Sequence, residues 1–191
     1  IQGRVDLGGR RIIKKKRQDA KDFDDAVYCE TNSHGFRLVV AIADVSHYVQ
    51  PGSALDDEAQ LRGTSVYFPG FVVPMLPENV SNGICSLKPK VDRLCFVCDM
   101  QVGFDGLVTQ SKFYEAVMFS HARLTYNEVW KVIGEKDELQ IAALGDLLPS
   151  IQRLHQLFDV LSKARAKRGA IEFESNEVHF ELNQQGEVIK G

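Results

Sequence analysis

At 191 residues, 44% of them hydrophobic, the chain is long enough to bury one good core, so one domain or one piece of a larger domain is expected. A formal net charge of −3 gives no global attraction to a polyanion, so any nucleic-acid surface must come from a local concentration of Lys and Arg. The longest apolar runs fall far short of the roughly 20 residues that span a bilayer, and no signal-peptide-like apolar region opens the sequence, so a soluble cytoplasmic protein with no membrane partner is expected.

In chain order, Gly8 to Arg17 comes first and packs six cations into the eight residues from Arg10. Residues 1–18 are read as a basic N-terminal segment: either a solvated tail, native or introduced in cloning, or an arm that grips phosphate. Next, Asp19, Asp22, Asp24 and Asp25 place four carboxylates within seven residues, running straight into an apolar stretch. Carboxylates this close repel one another, which raises their pKa values or calls for a cation. Mg²⁺ or Mn²⁺ suits short-stemmed aspartates, and a turn with exposed acids is the other reading.

Ala26–Cys29 and Phe36–Ala43 read as strands of a hairpin joined by the polar turn Thr31–Gly35. Ser53 opens a short helix to about Leu61 that Gly63 ends, and Tyr67 follows on an extended run. Pro74 and Pro77 predict a rigid, irregular crossing as far as Ser86, and a second hairpin spans Val91–Phe119 about the turn Gly103–Gly106. Thr125 and Glu128 form a capping box ahead of a helix carrying Val129, Trp130, Val132 and Ile133. Two further helices are expected over Asp137–Leu148 and Pro149–Lys167, the second with Ile151, Leu154, Leu157, Phe158 and Leu161 in one apolar stripe. Its basic end, Lys163 to Arg168, complements the helix dipole or contacts a phosphate backbone. A strand then begins at Ile171–Phe173, and a turn at Asn183–Gly186 joins two more. Cys95 and Cys98 form a C-x-x-C, but on a strand they point to opposite faces and no second ligand pair completes a zinc site. His34 and His47 have no ligand partner at strand or helix spacing.

The string Asp19-Ala20-Lys21-Asp22-Phe23-Asp24-Asp25-Ala26-Val27, followed in order by Phe36–Ser46, Arg62–Pro69, Pro74–Pro77, Ser81–Leu87 and Ser120–Tyr126, resembles the catalytic domain of the ribonuclease II and ribonuclease R family, the ribonuclease R branch more closely. The resemblance implies that residues 19–191 are the N-terminal part of such a domain, from a processive 3′→5′ exoribonuclease that releases nucleoside 5′-monophosphates. It implies catalytic and metal-binding roles for Asp22, Asp24 and Asp25 with Mg²⁺ (or Mn²⁺) as cofactor. It also implies that Tyr67 and Phe173 stack on bases and that Tyr126 contacts the ribose of single-stranded or structured RNA. The family places a further aspartate six residues before the position matched by Asp22, where this sequence has Lys16.

The expected fold class is therefore α+β: a mainly antiparallel, curved sheet with flanking helices, forming part of an exoribonuclease catalytic domain. A partial domain exposes some of its core, so self-association and inactivity in isolation are expected. The alternative is a catalytically inactive RNA-binding or interaction module of the same fold, its metal centre lost through Lys16.

Overall fold

The computed structural model describes residues 23–68 and 71–170 in full, together with the backbone at 15–16, 181–182 and 188–190. Its strands are β1 (Lys15–Lys16), β2 (Asp25–Asn32), β3 (Gly35–Ala43), β4 (Val66–Phe68), β5 (Phe71–Val73), β6 (Asp92–Val102), β7 (Val108–Phe119), β8 (Leu124–Thr125), β9 (Glu181–Leu182) and β10 (Val188–Lys190). The helices are α1 (Ala54–Arg62), α2 (Tyr126–Ile133), α3 (Glu138–Leu144) and α4 (Leu148–Lys167).

Alternating apolar runs joined by short turns favour antiparallel neighbours, and β2, β3, β6 and β7 form one antiparallel four-stranded sheet in that order. The first hairpin is tighter than the sequence suggests. Asn32 already pairs with Gly35, which leaves Ser33 and His34 as the turn. Period-two alternation sends Ala26, Tyr28, Val39, Ala41, Cys95, Val97, Ala116 and Met118 to one face, where Phe23 and Leu87 close a buried cluster.

Val27, Cys29, Leu38 and Met100 point the other way, toward the helices. Cys29, Phe36 and Val102 pack with Leu157 of α4, and Val27 joins the cluster made by Leu124, Val129, Val132, Leu144 and Ile151. The turn between β6 and β7 touches α4 so closely that a Cβ on Gly106, whose φ is +79°, would lie 2.6 Å from the Ala164 Cβ and 2.9 Å from the Val160 carbonyl oxygen. The α+β class with an antiparallel sheet and flanking helices is thus the observed architecture.

Three local expectations need correction or refinement. The helix expected over Asp137–Leu148 ends at Leu144, because Gly145 takes a φ of +47° and a 3₁₀ turn over Gly145–Leu147 leads into α4. Phe158 is 61% exposed and stacks on His155 instead of joining the buried side of α4, since Leu157 already fills the contact with the sheet. The crossing after Pro77 contains a π-helical turn, Asn79–Ile84, closed by the Cys85 N–H donating to the Val80 carbonyl at 3.0 Å. Cys95 is buried on one face of β6 while Cys98 is half-buried on the other, as the strand reading requires. The strand expected at Ile171–Phe173 lies outside the described residues. β9 and β10 pair antiparallel, and the expected Asn183–Gly186 turn lies outside the described residues.

On the sheet face away from the buried cluster, α4 covers β2 and leaves Ile42, Phe96 and Phe113 exposed, with Phe96 and Phe113 stacked at 6.3 Å. No described helix is long and apolar enough to cross a membrane.

Candidate functional site

The acidic stretch is held by the residue in its middle. Phe23 is 5% exposed, its N–H donates to the Ser86 hydroxyl at 3.0 Å, and its carbonyl accepts from the Leu87 N–H at 2.8 Å. The Arg123 guanidinium lies 5.0 Å above the Phe23 ring, a cation–π contact that adds a third tether. Ser86 is itself fixed, because Arg93 Nε donates to its carbonyl at 2.9 Å. One residue on, the Asp24 carbonyl accepts from the Ala43 N–H at 2.7 Å, which extends the β2–β3 ladder up to the aspartates. A sequence of charged residues therefore starts on a stiff strand end, as a cation site requires of its supports.

Asp24 is exposed and Asp25, opposite Ile42 in the ladder, is half-buried. Asp24 shares its surroundings with Asp44. Burial raises the Cys85 thiol above its ordinary value, and the carboxylates of Asp44 and then Asp24 push it further, against the opposing charge of Arg93. Asp44 also accepts hydrogen bonds from Ser46 Oγ at 2.7 Å and the His47 N–H at 3.1 Å. This proximity of Asp44 and Cys85 to Asp24 was invisible to motif reading, since the three are distant in sequence: the β2–β3 ladder sets Asp44 beside Asp24, and the bonds of Ser86 and Leu87 to Phe23 bring Cys85 to them.

Carboxylate oxygens are the right donors for a hard cation such as Mg²⁺. Neighbouring residues on a strand alternate sides, so Asp24 lies toward Ala26 and Asp25 toward Val27. Among the described residues no three or more His, Cys, Asp or Glu side chains converge as a metal site. Asp22 lies outside the described residues. The donor type suits the cation, while Asp24 and Asp25 leave the strand end on opposite sides and do not by themselves form a converged site.

Of the expected RNA-contacting aromatics, Tyr67 on β4 is 71% exposed and Tyr126, the first residue of α2, is 59% exposed. Phe173 lies outside the described residues. The ribbon carrying Tyr67 is apolar and exposed along its length, with Phe68 stacked on Phe71 at 4.7 Å and 13°. His34 and His47 are both exposed.

A cavity of about 530 Å³ beside α2 was not anticipated from the sequence. Arg123, Thr125, Asn127, Glu128, Trp130, Lys131 and Glu135 line it. The capping box shapes one wall: Glu128 Oε2 accepts from the Thr125 N–H at 2.6 Å and from Thr125 Oγ1 at 2.8 Å. The available signal was Trp130 one turn after Tyr126, on the same helix face.

The RNB domain family model matches residues 4–191, nearly the whole chain. The chain belongs to the RNB domain family. This RNB domain sequence is 54% identical to ribonuclease R of Escherichia coli (strain K12) over 187 residues, covering 97% of this chain and 23% of that protein. It is 54% identical to ribonuclease R of Vibrio cholerae over 188 residues, again 23% of that protein. The chain therefore spans less than a quarter of the length of these relatives. Among solved structures, Mycoplasma genitalium RNase R in complex with double-stranded RNA superposes with a TM-score of 0.86 at 35% identity, over 97% of this chain and 33% of that one. The same protein bound to ribose-methylated single-stranded RNA superposes equally well, at TM-score 0.86, over 29% of its chain. The matched span starts at residue 4, so it takes in the basic stretch, whose β1 pairs in parallel with β8.

Proposed function

We propose that this chain is the nuclease-domain portion of a processive 3′→5′ exoribonuclease that hydrolyses RNA to nucleoside 5′-monophosphates. The observation that carries the reading is the 54% identity to ribonuclease R across 97% of the chain, on a fold shared with an RNA-bound relative. Asp22, Asp24 and Asp25 would hold Mg²⁺ and orient the attacking water, with Asp24 the least replaceable because it stands exposed at the anchored strand end. When bound, the cation supplies charge neutralisation on the attacking and leaving oxygens of the scissile phosphodiester. Tyr67 and Phe173 stack on bases near the 3′ end, and Tyr126 contacts the ribose. Each base stack is worth ~1–3 kcal/mol and tolerates any base, as progress along an arbitrary strand demands. The substrate is single-stranded or structured RNA, and the site of action is the cytoplasm.

Lys16 favours a second reading, a non-catalytic RNA-binding module. The β1 register sets Lys16 beside Thr125, and a lysine where the family has an aspartate exchanges a negative ligand for a positive charge. At ~4–6 Å and an effective dielectric near 20, each unit charge interacts with a divalent ion by several kcal/mol before screening, so the exchange weakens the site by orders of magnitude.

The deciding experiment incubates 5′-labelled single-stranded RNA and Mg²⁺ with the full-length parent and with this chain separately. Stepwise shortening by the parent, lost in Asp24→Asn, is the expected result, and this chain alone is expected to be inactive. A parent that never shortens RNA, but does so after Lys16→Asp, identifies the non-catalytic module. A parent inactive in both forms overturns the exoribonuclease assignment.

A further inference from the structure

The cavity beside α2 belongs to none of the roles assigned above. Tyr126 and Trp130 stand one turn apart on the outer side of α2, 59% and 62% exposed. The indole is held in place. A Cβ built on Gly134 would lie 2.6–2.7 Å from Trp130 Cε2, Cδ2 and Cζ2, three ring atoms at nearly equal distance, so the glycine meets the face of the ring and not its edge. Gly134 has a φ of −85°, which any residue adopts, so its backbone does not call for glycine. What requires glycine is the ring lying flat on it. One face of the indole is therefore backed by the helix while the ring as a whole stays largely exposed.

The surroundings specify what an exposed, backed indole would take. The cavity walls are polar and charged, with Asn127 and Lys131 one turn apart beside the ring. That lining suits a planar group bearing hydrogen-bonding edges and an attached anion better than an aliphatic side chain. Of the two carboxylates that line the cavity, Glu128 is engaged in the capping box with Thr125, and Glu135 stands one turn past Lys131, with Arg123 as the second lining cation. The backbone of β1 runs parallel to Leu124–Thr125, so Lys15 and Lys16 occupy register positions along the wall that contains Thr125. Aromatic face, amide and ammonium within one cavity are the elements with which proteins hold single-stranded nucleic acid.

We propose that this cavity is a subsite for one nucleotide of single-stranded RNA, the base stacked on Trp130 and the adjoining phosphate directed toward Lys131. The proposal rests on the RNA-processing reading above and adds a contact outside Tyr67, Tyr126 and Phe173. Gly134 acts as a positioning residue, setting the plane of the ring.

Trp130 is the single tryptophan of the chain, so its fluorescence reports this cavity directly. The test titrates oligoadenylate into the chain in EDTA, reading Trp130 emission, and in parallel follows anisotropy of the same oligonucleotide carrying an end label. Emission is expected to be quenched along the same isotherm as the anisotropy. Trp130→Ala, at an exposed position that leaves the far-UV CD spectrum unchanged, is expected to weaken binding by about 5- to 150-fold, the range of one base–aromatic stack. Gly134→Ala keeps the indole but displaces it and weakens binding in the same sense. Lys131→Gln is expected to reduce the salt slope of binding by about 0.7. RNA that binds without quenching, and binds Trp130→Ala as tightly as the parent chain, overturns the subsite and leaves the RNA reading intact. Quenching by free AMP at the same affinity as the oligonucleotide overturns it as a strand subsite. Absence of any anisotropy change overturns both readings together.

Discussion

The anchoring of the acidic strand end by Ser86 offers the sharpest test of how this fold positions its candidate site. Ser86 is fully buried, and its hydroxyl is the acceptor for the Phe23 N–H at 3.0 Å, with Phe23 itself only 5% exposed. Ser86→Ala removes that acceptor where water cannot replace it, so the substitution incurs the desolvation cost of the donor as well as the lost bond, ~1–3 kcal/mol. For a chain of this size each kcal/mol moves Tm by ~2–4 °C, so a fall of roughly 2–12 °C is expected. Ser81→Ala is the control, because its hydroxyl makes a long 3.4 Å contact with the Pro77 carbonyl at the surface and its loss should stay within ~0.5 kcal/mol. Differential scanning calorimetry measures both. Phe23 directly precedes Asp24, so the same substitution should weaken Mn²⁺ binding in isothermal titration of the full-length parent under conditions where the protein remains folded. A Tm for Ser86→Ala within about 1 °C of the Ser81→Ala control would refute the anchoring argument, whatever the titration gives.

Arg37 donates from Nε to Asp99 Oδ1 at 2.9 Å and from an Nη to Glu30 Oε1 at 3.2 Å, between side chains that are all less than a third exposed, and this pairing raises its pKa. A double-mutant cycle with Arg37→Ala and Asp99→Ala, followed by urea unfolding, should yield a coupling of ~1–3 kcal/mol, and additive losses would contradict a working network. Burial pushes the Cys29 thiol up to about 11 and the Cys95 thiol up to about 12, from an ordinary value of 9.0. Below about pH 9 both states keep these protons, whereas from there to about pH 11–12 the unfolded chain loses protons that the folded chain retains. Stability should therefore fall with rising pH in that window by up to ~1.4 kcal/mol per unit per thiol, and Cys29→Ala with Cys95→Ala should flatten the profile. Gly106→Ala combines a positive φ with a clash against α4 and should cost about 2–4 kcal/mol in chemical denaturation, whereas Gly52→Ala, with open space around it, should cost only the backbone strain.

Hairpins, caps and helix starts were legible in the sequence because each depends on residues within a few positions of one another. Ser53 caps α1, Thr125 and Glu128 form their capping box, Asp137 caps α3, and the alternation of β2, β3, β6 and β7 decides which side chains meet across the sheet. The aspartate string around Phe23 was legible for the same reason, as a contiguous motif whose spacing carries its chemistry.

What depended on residues far apart was decided by tertiary structure alone. Ser86 is 63 residues from Phe23, and nothing local marks it as the acceptor that fixes the strand end. Strand pairing sets Asp44 beside Asp24, the Ser86 and Leu87 bonds to Phe23 bring Cys85 to them, and the cavity beside Trp130 exists because the segment from Arg123 to Thr125 meets α2. Phe158 shows the converse: its spacing fits the apolar stripe, yet Leu157 fills the contact first and leaves the ring exposed against His155. Local sequence fixes dihedral preferences and the periodicity of faces, whereas a site requires particular distances between segments, and those follow only from the packing of the whole sheet against its helices.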